Sequence, residues 1–310
     1  MAEQPLSIAV FGATGVLGSS IVNAFLEPHV RKHFGRLIAF SRDEHKLIEH
    51  WRPESGIFLR RYSLGNLQDS IVDIDIVINA VNTSNIHFHT NLVKAMATMK
   101  STKAYFPSEF GIDGSTLDFR HESFERSKSL SQLARNSLHN TKVCQVFPGI
   151  FLENVLGPWL GLIDTTSNDG MRLISVGSKH TPISCTSVMD IGRSVAQLCL
   201  LPPSHIPDII HLAGTTNSMV QMADIIARER RDQMKVVELS LSDYKASVLV
   251  SSPSNEAEYL KFVIGEGKVN HGKGGLWNGN ELVNPRESSW KWKTFEDMVK
   301  ENDERLWKSE

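Results

Sequence analysis

Cysteine is scarce and unpatterned: three residues in 310, Cys144, Cys185 and Cys199. An odd number at wide spacing excludes a disulfide framework and a cysteine-based zinc site, and points to a reducing, cytoplasmic setting. There is no basic block, and the formal net charge is −2. Nucleic acid and anionic membrane surfaces are therefore not expected partners. Long apolar runs are also missing. The most apolar stretch, residues 143–163, is broken by Pro148, Glu153, Asn154 and Pro158, so no membrane span is expected. The chain enters its first apolar run almost at once, without a charged and apolar leader. Tyrosine is sparse, and none of Tyr62, Tyr105, Tyr244 and Tyr259 has a lysine four residues later. A phenol and an ammonium one helical turn apart are thus absent. No internal repeat is visible.

What is present begins with I-A-V-F-G-A-T-G-V-L-G at residues 8–18. An apolar, β-branched run feeds into Gly12, Gly15 and Gly18, and residues 19–26 read as the start of a helix. Strand, glycine turn and helix in that order suit a pyrophosphate: a tight turn, close backbone approach and close helix–strand packing. The helix N-terminus adds free N–H groups and a positive dipole end. Contacts from Gly12, Thr14, Gly15, Val16, Leu17 and Gly18 are expected. Further apolar runs follow at intervals suited to alternating strands and helices: 36–41, 58–63, 74–81, 104–107 and 141–147, with helical spacing over 89–99 and 124–138. A late run, 209–213, is expected to return to the same sheet. The rhythm predicts an α/β fold, a doubly wound parallel (Rossmann) sheet with an interleaved smaller substrate-binding lobe. Residues 1–148 and 188–216 are assigned to the dinucleotide-binding domain, and 149–187 with 217–310 to the lobe. The glycine-rich stretch 265–279 lacks the Gly-Lys-Ser/Thr ending of a P-loop and reads as a plain surface loop or a mobile flap rather than a phosphate cradle.

A dinucleotide site declares its preference at the end of the second strand, where an acidic residue suits a free ribose and an arginine suits a 2′-phosphate. Here the strand ends Phe40-Ser41-Arg42, and Arg42 lies twenty-four residues after Gly18. Its guanidinium can hold a phosphate through two hydrogen bonds. Ser41 adds another, and Lys46 adds positive charge or is simply a surface lysine. Asp43 reads as a solvated carboxylate or as the N-cap of a helix over 44–51. NADPH is the expected cofactor.

Ligands of open α/β sheets lie outside the carboxyl ends of the strands. Three loops qualify: 80–85, with Ala80, Val81 and Asn82; 107–111, with Ser108, Glu109 and Phe110; and 147–154, with Pro148 and Gly149. Ser108 and Glu109 can relay a proton or cap the backbone beside the cofactor. Lys128 follows Phe124 by one helical turn and shares its face. It reads as a snorkelling lysine at the edge of an apolar stripe, or as a general acid/base if it points into a closed cleft. Phe151, Asn154, Val155 and Trp159 belong to an apolar stretch that can line a pocket for an aromatic ring, pack a subunit interface, or form ordinary core. The pair His87 and His89 lacks acidic or thiol partners at useful spacing, so no metal is expected.

These residues resemble the NmrA-like branch of atypical short-chain dehydrogenases, in particular its isoflavone reductase, pinoresinol–lariciresinol reductase and phenylcoumaran benzylic ether reductase group. The matching pieces are G-A-T-G-V-L-G at 12–18, Ser41-Arg42, F-P-S-E-F-G at 106–111 and Lys128 on the following helix. Weaker pieces are P-G-I-F-L-E-N at 148–154, F-V-I-G-E-G-K-V-N at 262–270 and W-K-T-F-E-D-M-V-K-E at 292–301. The resemblance implies an NADPH-dependent reductase of an aromatic small molecule in secondary metabolism, with hydride from the nicotinamide C4 and Lys128 as general acid/base. A monomer or homodimer is expected. Two departures stand out: the stretch from Gly111 to Lys128 looks shorter than in the plant enzymes, and the Phe-to-Lys spacing is one residue longer. Two alternatives use the same motifs: an NADP-binding regulator without turnover, and a non-redox isomerase or cyclase.

Overall fold

The apolar runs near the start of the chain become the strands of one parallel sheet. In the computed structural model, residues 5–52, 55–99, 101–166, 170–231 and 233–302 are described. The strands are β1 (Leu6–Phe11), β2 (Phe34–Ser41), β3 (Phe58–Arg61), β4 (Ile76–Asn79), β5 (Ala104–Phe106) and β6 (Lys142–Val143). Their spatial order is β3-β2-β1-β4-β5-β6, with every neighbouring pair parallel. The order reverses beside β1, the switch point at which such sheets bind ligands. Both faces of β1 are covered, so Ile8, Ala9, Val10 and Phe11 are all fully buried. Phe11 stacks on Phe40 at 4.5 Å between ring centres, and Tyr62 and Phe88 close around the pair.

The expected sixth strand is interrupted at Cys144. Residues 142–143 join the sheet, whereas Gln145–Phe147 pairs with Ile209–His211 in a separate two-stranded ribbon. Alternate amides of a strand face opposite edges. The Cys144 N–H donates inward to Tyr105 O at 3.0 Å, and the Gln145 N–H donates outward to Asp208 O at 2.9 Å. The late strand therefore meets the continuation of β6 and does not enter the six-stranded sheet.

The chain forms two compact units: residues up to Phe110 with Glu122–Val146 and Val188–Ile210, and Gly111–His121 with Phe147–Ser187 and residues from His211 onward. Relative to the expected division, the second unit also takes 111–121, 147–148 and 211–216. In the first unit, helix Val188–Leu198 packs along helix Val16–Leu26. The contact is close because Gly192 has no side chain: a Cβ there would lie 2.7 Å from Ser20 O. Ser20 Oγ donates to Val188 O at 2.9 Å, and Arg193 pairs with Glu27 at 2.9 Å.

The second unit holds two three-stranded sheets. One joins Lys235–Leu239, Arg172–Val176 and Ile163–Asp164; the other joins Thr215–Asn217, Ile183–Thr186 and Ile150–Phe151. The segment 111–121 is fastened within this unit. Phe119 packs on Tyr259 and Phe262, and Asp118 accepts from Lys245 at 2.9 Å and Lys268 at 3.0 Å. No helix among the described residues is long and apolar enough to cross a membrane.

Gly192→Ala forces a backbone-to-Cβ clash between two packed helices, and overpacking of this kind costs about 1–3 kcal/mol. Gly65 has no atom within 4 Å of its built Cβ, and Gly65→Ala serves as the control. Urea unfolding should show the loss for Gly192→Ala alone; equal midpoints would remove the close-packing role.

Candidate functional site

The glycine turn leaves β1 and enters helix Val16–Leu26 with Gly15 as N-cap. Gly12 has φ +75°, and a Cβ at this position would lie 2.7 Å from Ala80 O. A Cβ at Gly18 would lie 2.0 Å from Gly12 O. No side chain caps this helix, and its first turn has no acidic residue. Its opening N–H groups and positive dipole end are thus left for an anion.

Two neighbouring strands fix the turn. Ala13 N–H donates to Phe40 O at 3.1 Å, and Thr14 Oγ1 and Ser41 Oγ share a hydrogen bond of 3.2 Å. Ser41 Oγ also accepts from Asp43 N–H at 3.1 Å. Asp43 caps the next helix, Glu44–His50, by accepting from His45 N–H at 3.0 Å. Its carboxylate is thereby engaged locally. Arg42 and Lys46 are exposed, and neither side chain forms an ion pair or hydrogen bond among the described residues. A guanidinium without a protein partner therefore stands at the carboxyl end of β2.

At the end of β4 a buried polar network shapes the 80–82 loop. The Asn79 amide nitrogen donates to His89 Nδ1 at 2.9 Å and to Tyr105 OH at 3.1 Å, while its oxygen accepts from Val81 N–H at 3.1 Å. His89 Nε2 then carries the proton and donates to Asn82 O at 3.0 Å. Burial pushes the His89 imidazole below its ordinary range, only partly offset by the bond to Asn82. Both ring nitrogens are spent on this scaffold rather than on a metal.

At the end of β5, Glu109 N–H donates to Pro107 O at 2.8 Å. The Glu109 carboxylate accepts from the Gln145 amide. Arg135 donates twice to the Gln145 oxygen, at 3.1 and 2.5 Å, which turns the amide nitrogen toward Glu109. A small pocket beside it is lined by Thr83, Ser108, Glu109, Ser127 and Ser131, among others. The hydroxyl of Ser131 is buried there with no hydrogen-bond partner among the described residues. Helix Glu122–Ser137 buries Phe124, Ser131 and Ala134. Lys128 is exposed, forms no ion pair or hydrogen bond among the described residues, and does not line this pocket.

Pro148 and Gly149 lie in the second unit. Pro148 O accepts from Thr186 Oγ1 at 2.8 Å. Phe151 is half-buried, Asn154 is exposed, Val155 is completely buried and Trp159 is 52% exposed. These four residues therefore do not share one environment.

The NmrA-like family model matches residues 5–297. The chain belongs to the NmrA-like family. It is 26% identical to the isoflavone reductase of Medicago sativa over 72% of this chain and 75% of that protein. It is 27% identical to an NmrA-like family domain-containing oxidoreductase of Gibberella moniliformis over 71% of this chain and 75% of that protein. Of the Pisum sativum isoflavone reductase it spans 63%, at 26% identity. Among solved structures it resembles AtPrR2 with NADP+ and (+)pinoresinol, at TM-score 0.78, 18% identity, 97% of this chain and 99% of that chain. An isoflavone reductase structure gives 0.77, 16% identity, 96% and 99%. The shared fold is that of the isoflavone reductase-like structures.

In this NmrA-like chain, sequence reading missed Asn79 and Tyr105 as supports of the 80–82 loop. The available signal was an asparagine closing an otherwise apolar strand, I-V-I-N. Arg61 was also missed: it pairs in register with Ser41 across β2 and β3, and so lies on the same sheet face as Ser41.

Because His89 is buried neutral, the unfolded chain binds the extra proton below the ordinary imidazole pKa of 6.5. The stability this contributes is fully present above that value and is lost as pH falls below it. His89→Gln should therefore flatten the acid side of the Tm-against-pH curve as pH falls below about 6.5. An unchanged slope would show that His89 is not held neutral.

Proposed function

We propose that this chain is an NADPH-dependent reductase of an aromatic or heteroaromatic small molecule, acting in cytoplasmic secondary metabolism. The carrying observation is the end of β2. There the unpaired Arg42 guanidinium follows Ser41, which is tied to the glycine turn through Thr14. An acidic residue at that place would repel a 2′-phosphate; Arg42 attracts one. The relatives support the reading, because several are reductases of aromatic compounds by name and one neighbouring structure holds NADP+ with pinoresinol.

The residues fit the cofactor at the turn, where a Cβ at Gly12 or Gly18 would fill space next to backbone. The first N–H groups of helix Val16–Leu26 would hold the pyrophosphate. Arg42 and Ser41 would hold the 2′-phosphate, with Lys46 adding positive charge. The nicotinamide, when bound, supplies a hydride from C4. Ala80, Val81 and Asn82, kept in shape by Asn79 and His89 at the end of β4 next to β1, are assigned to border the bound cofactor. Lys128 is assigned the proton transfer that balances hydride delivery to a polarised C=C, C=N or C=O, or to a benzylic carbon. Phe151, Asn154 and Trp159 of the second unit are assigned to the aromatic ligand. A second reading, an NADP-binding regulator without turnover, is favoured by one observation: Lys128 stands outside the pocket lined by Ser127 and Ser131.

Calorimetric binding should show clear preference for NADPH over NADH. Arg42→Ala should weaken NADPH by about ten- to a hundredfold, the worth of a charge-assisted contact, with little change for NADH. Equal affinities, unaltered by the substitution, would overturn the cofactor assignment. With pinoresinol and isoflavones as trial substrates, Lys128→Ala should lower kcat by about 10²–10⁴-fold and leave NADPH affinity intact. Full turnover in that variant removes Lys128 from the mechanism. Selective NADPH binding without oxidation across the trial substrates supports the regulator instead.

A further inference from the structure

Arg61 is a second guanidinium at the carboxyl edge of the first unit's sheet, and the reductase reading gives it no task. It closes β3, where residues 38–41 of β2 pair in parallel register with residues 58–61. Tyr62 N–H continues the ladder by donating to Ser41 O at 3.1 Å. Residues side by side on parallel strands point to the same face, and the strands stand about 4.8 Å apart. Arg61 therefore leaves the sheet on the face of Ser41, its direct partner. On that face the Ser41 hydroxyl is bonded to Thr14 Oγ1 of the glycine turn. Arg60 is paired with Phe40 and leaves on the opposite face.

Arg42 gathers at the same two strand ends. Burial pushes the Tyr62 phenol up, and the Arg42 guanidinium is close enough to pull against that rise. Tyr62 is the residue after Arg61, so Arg42 leans from β2 toward the end of β3. Both arginines are exposed, and neither side chain forms an ion pair or hydrogen bond among the described residues. The adjacent carboxylate of Asp43 is engaged by His45 N–H at 3.0 Å.

Two like charges gathered at one edge disfavour each other unless an anion lies between them. The ribose hydroxyls of an unphosphorylated dinucleotide would leave both uncompensated. A phosphate monoester carries about −1.5 to −2 charges at neutral pH and three acceptor oxygens. One guanidinium neutralises part of that charge; two match it, and their forked donors meet the oxygens in pairs. The pyrophosphate does not compete for them, because the N–H groups opening helix Val16–Leu26 are left for it.

We propose that Arg61 is a second ligand of the cofactor's 2′-phosphate, acting with Arg42 from the adjacent strand. The inference rests on the cofactor reading and deepens it: preference for NADPH over NADH is set by two strands rather than one. Arg42 reaches the phosphate from a loop. Arg61 is carried by a strand whose backbone is fixed by the ladder to Ser41, so its position is set before the cofactor arrives.

Calorimetry of the whole chain with adenosine 2′,5′-bisphosphate and with 5′-AMP tests this without turnover. Wild type should prefer the bisphosphate. Arg61→Gln should weaken the bisphosphate by about ten- to a hundredfold, the worth of a charge-assisted hydrogen bond, and leave 5′-AMP unchanged. Arg61→Lys keeps the charge and loses the fork, and should fall between wild type and Arg61→Gln. Arg60→Gln makes the same change of charge on the opposite face and should match wild type. Bisphosphate affinity that survives Arg61→Gln, or falls as far with Arg60→Gln, overturns the proposal while the cofactor reading stands. A wild type that binds the two fragments equally overturns the cofactor reading, and the role of Arg61 with it.

Discussion

The structure depends on one steric constraint: the backbone of Gly12 runs so close to Gly18 that a methyl group would lie 2.0 Å from the Gly12 carbonyl. That contact sets where helix Val16–Leu26 leaves β1. It also brings the loop after β4 within reach, since Gly12 is equally tight against Ala80. Because Gly15 caps the helix without a side chain, its opening N–H groups have no competing ligand from the chain itself. The anion site is thus a consequence of packing rather than a separate device.

The same helix dictates where a distant segment goes. Its outer face has to be covered, and residues 188–198 return to do so after the chain has built part of the second unit. The fit is made by another missing side chain, Gly192 against Ser20. The buried polar groups follow a parallel logic. Asn79 sits at the end of a strand surrounded by apolar neighbours, where an unpaired amide would be costly. It is satisfied by His89, Tyr105 and Val81, and this makes the 80–82 loop rigid. Gln145 does the same for Glu109, its orientation set by Arg135.

Much of this was legible in the residues because it rests on local pattern. Buried parallel strands read as apolar runs, and the glycine turn, Ser41-Arg42 and the Asp43 cap each lie within a few residues of the structure they make. The rest depends on groups far apart in the chain. The break at Cys144 arises because Asp208 offers a carbonyl on the outer edge of the strand. The transfer of 111–121 to the second unit depends on Tyr259, Phe262, Lys245 and Lys268, more than a hundred residues away. His211 and His271 carry no motif, and only the fold places them beside Asp113.

Lys128 shows how one residue of spacing becomes geometry. Successive side chains on an α-helix are turned by about 100°. Phe124, Ser127, Ser131 and Ala134 follow the three- and four-residue rhythm of one buried stripe, and Ser127 and Ser131 reach the pocket beside Glu109. Lys128, four residues after Phe124 rather than three, stands at the margin of that stripe with its ammonium in solvent. A lysine there has length and freedom in its favour and lacks a fixed pose. Holding that side chain in one pose would cost rotamer entropy that a buried lysine has already met on folding.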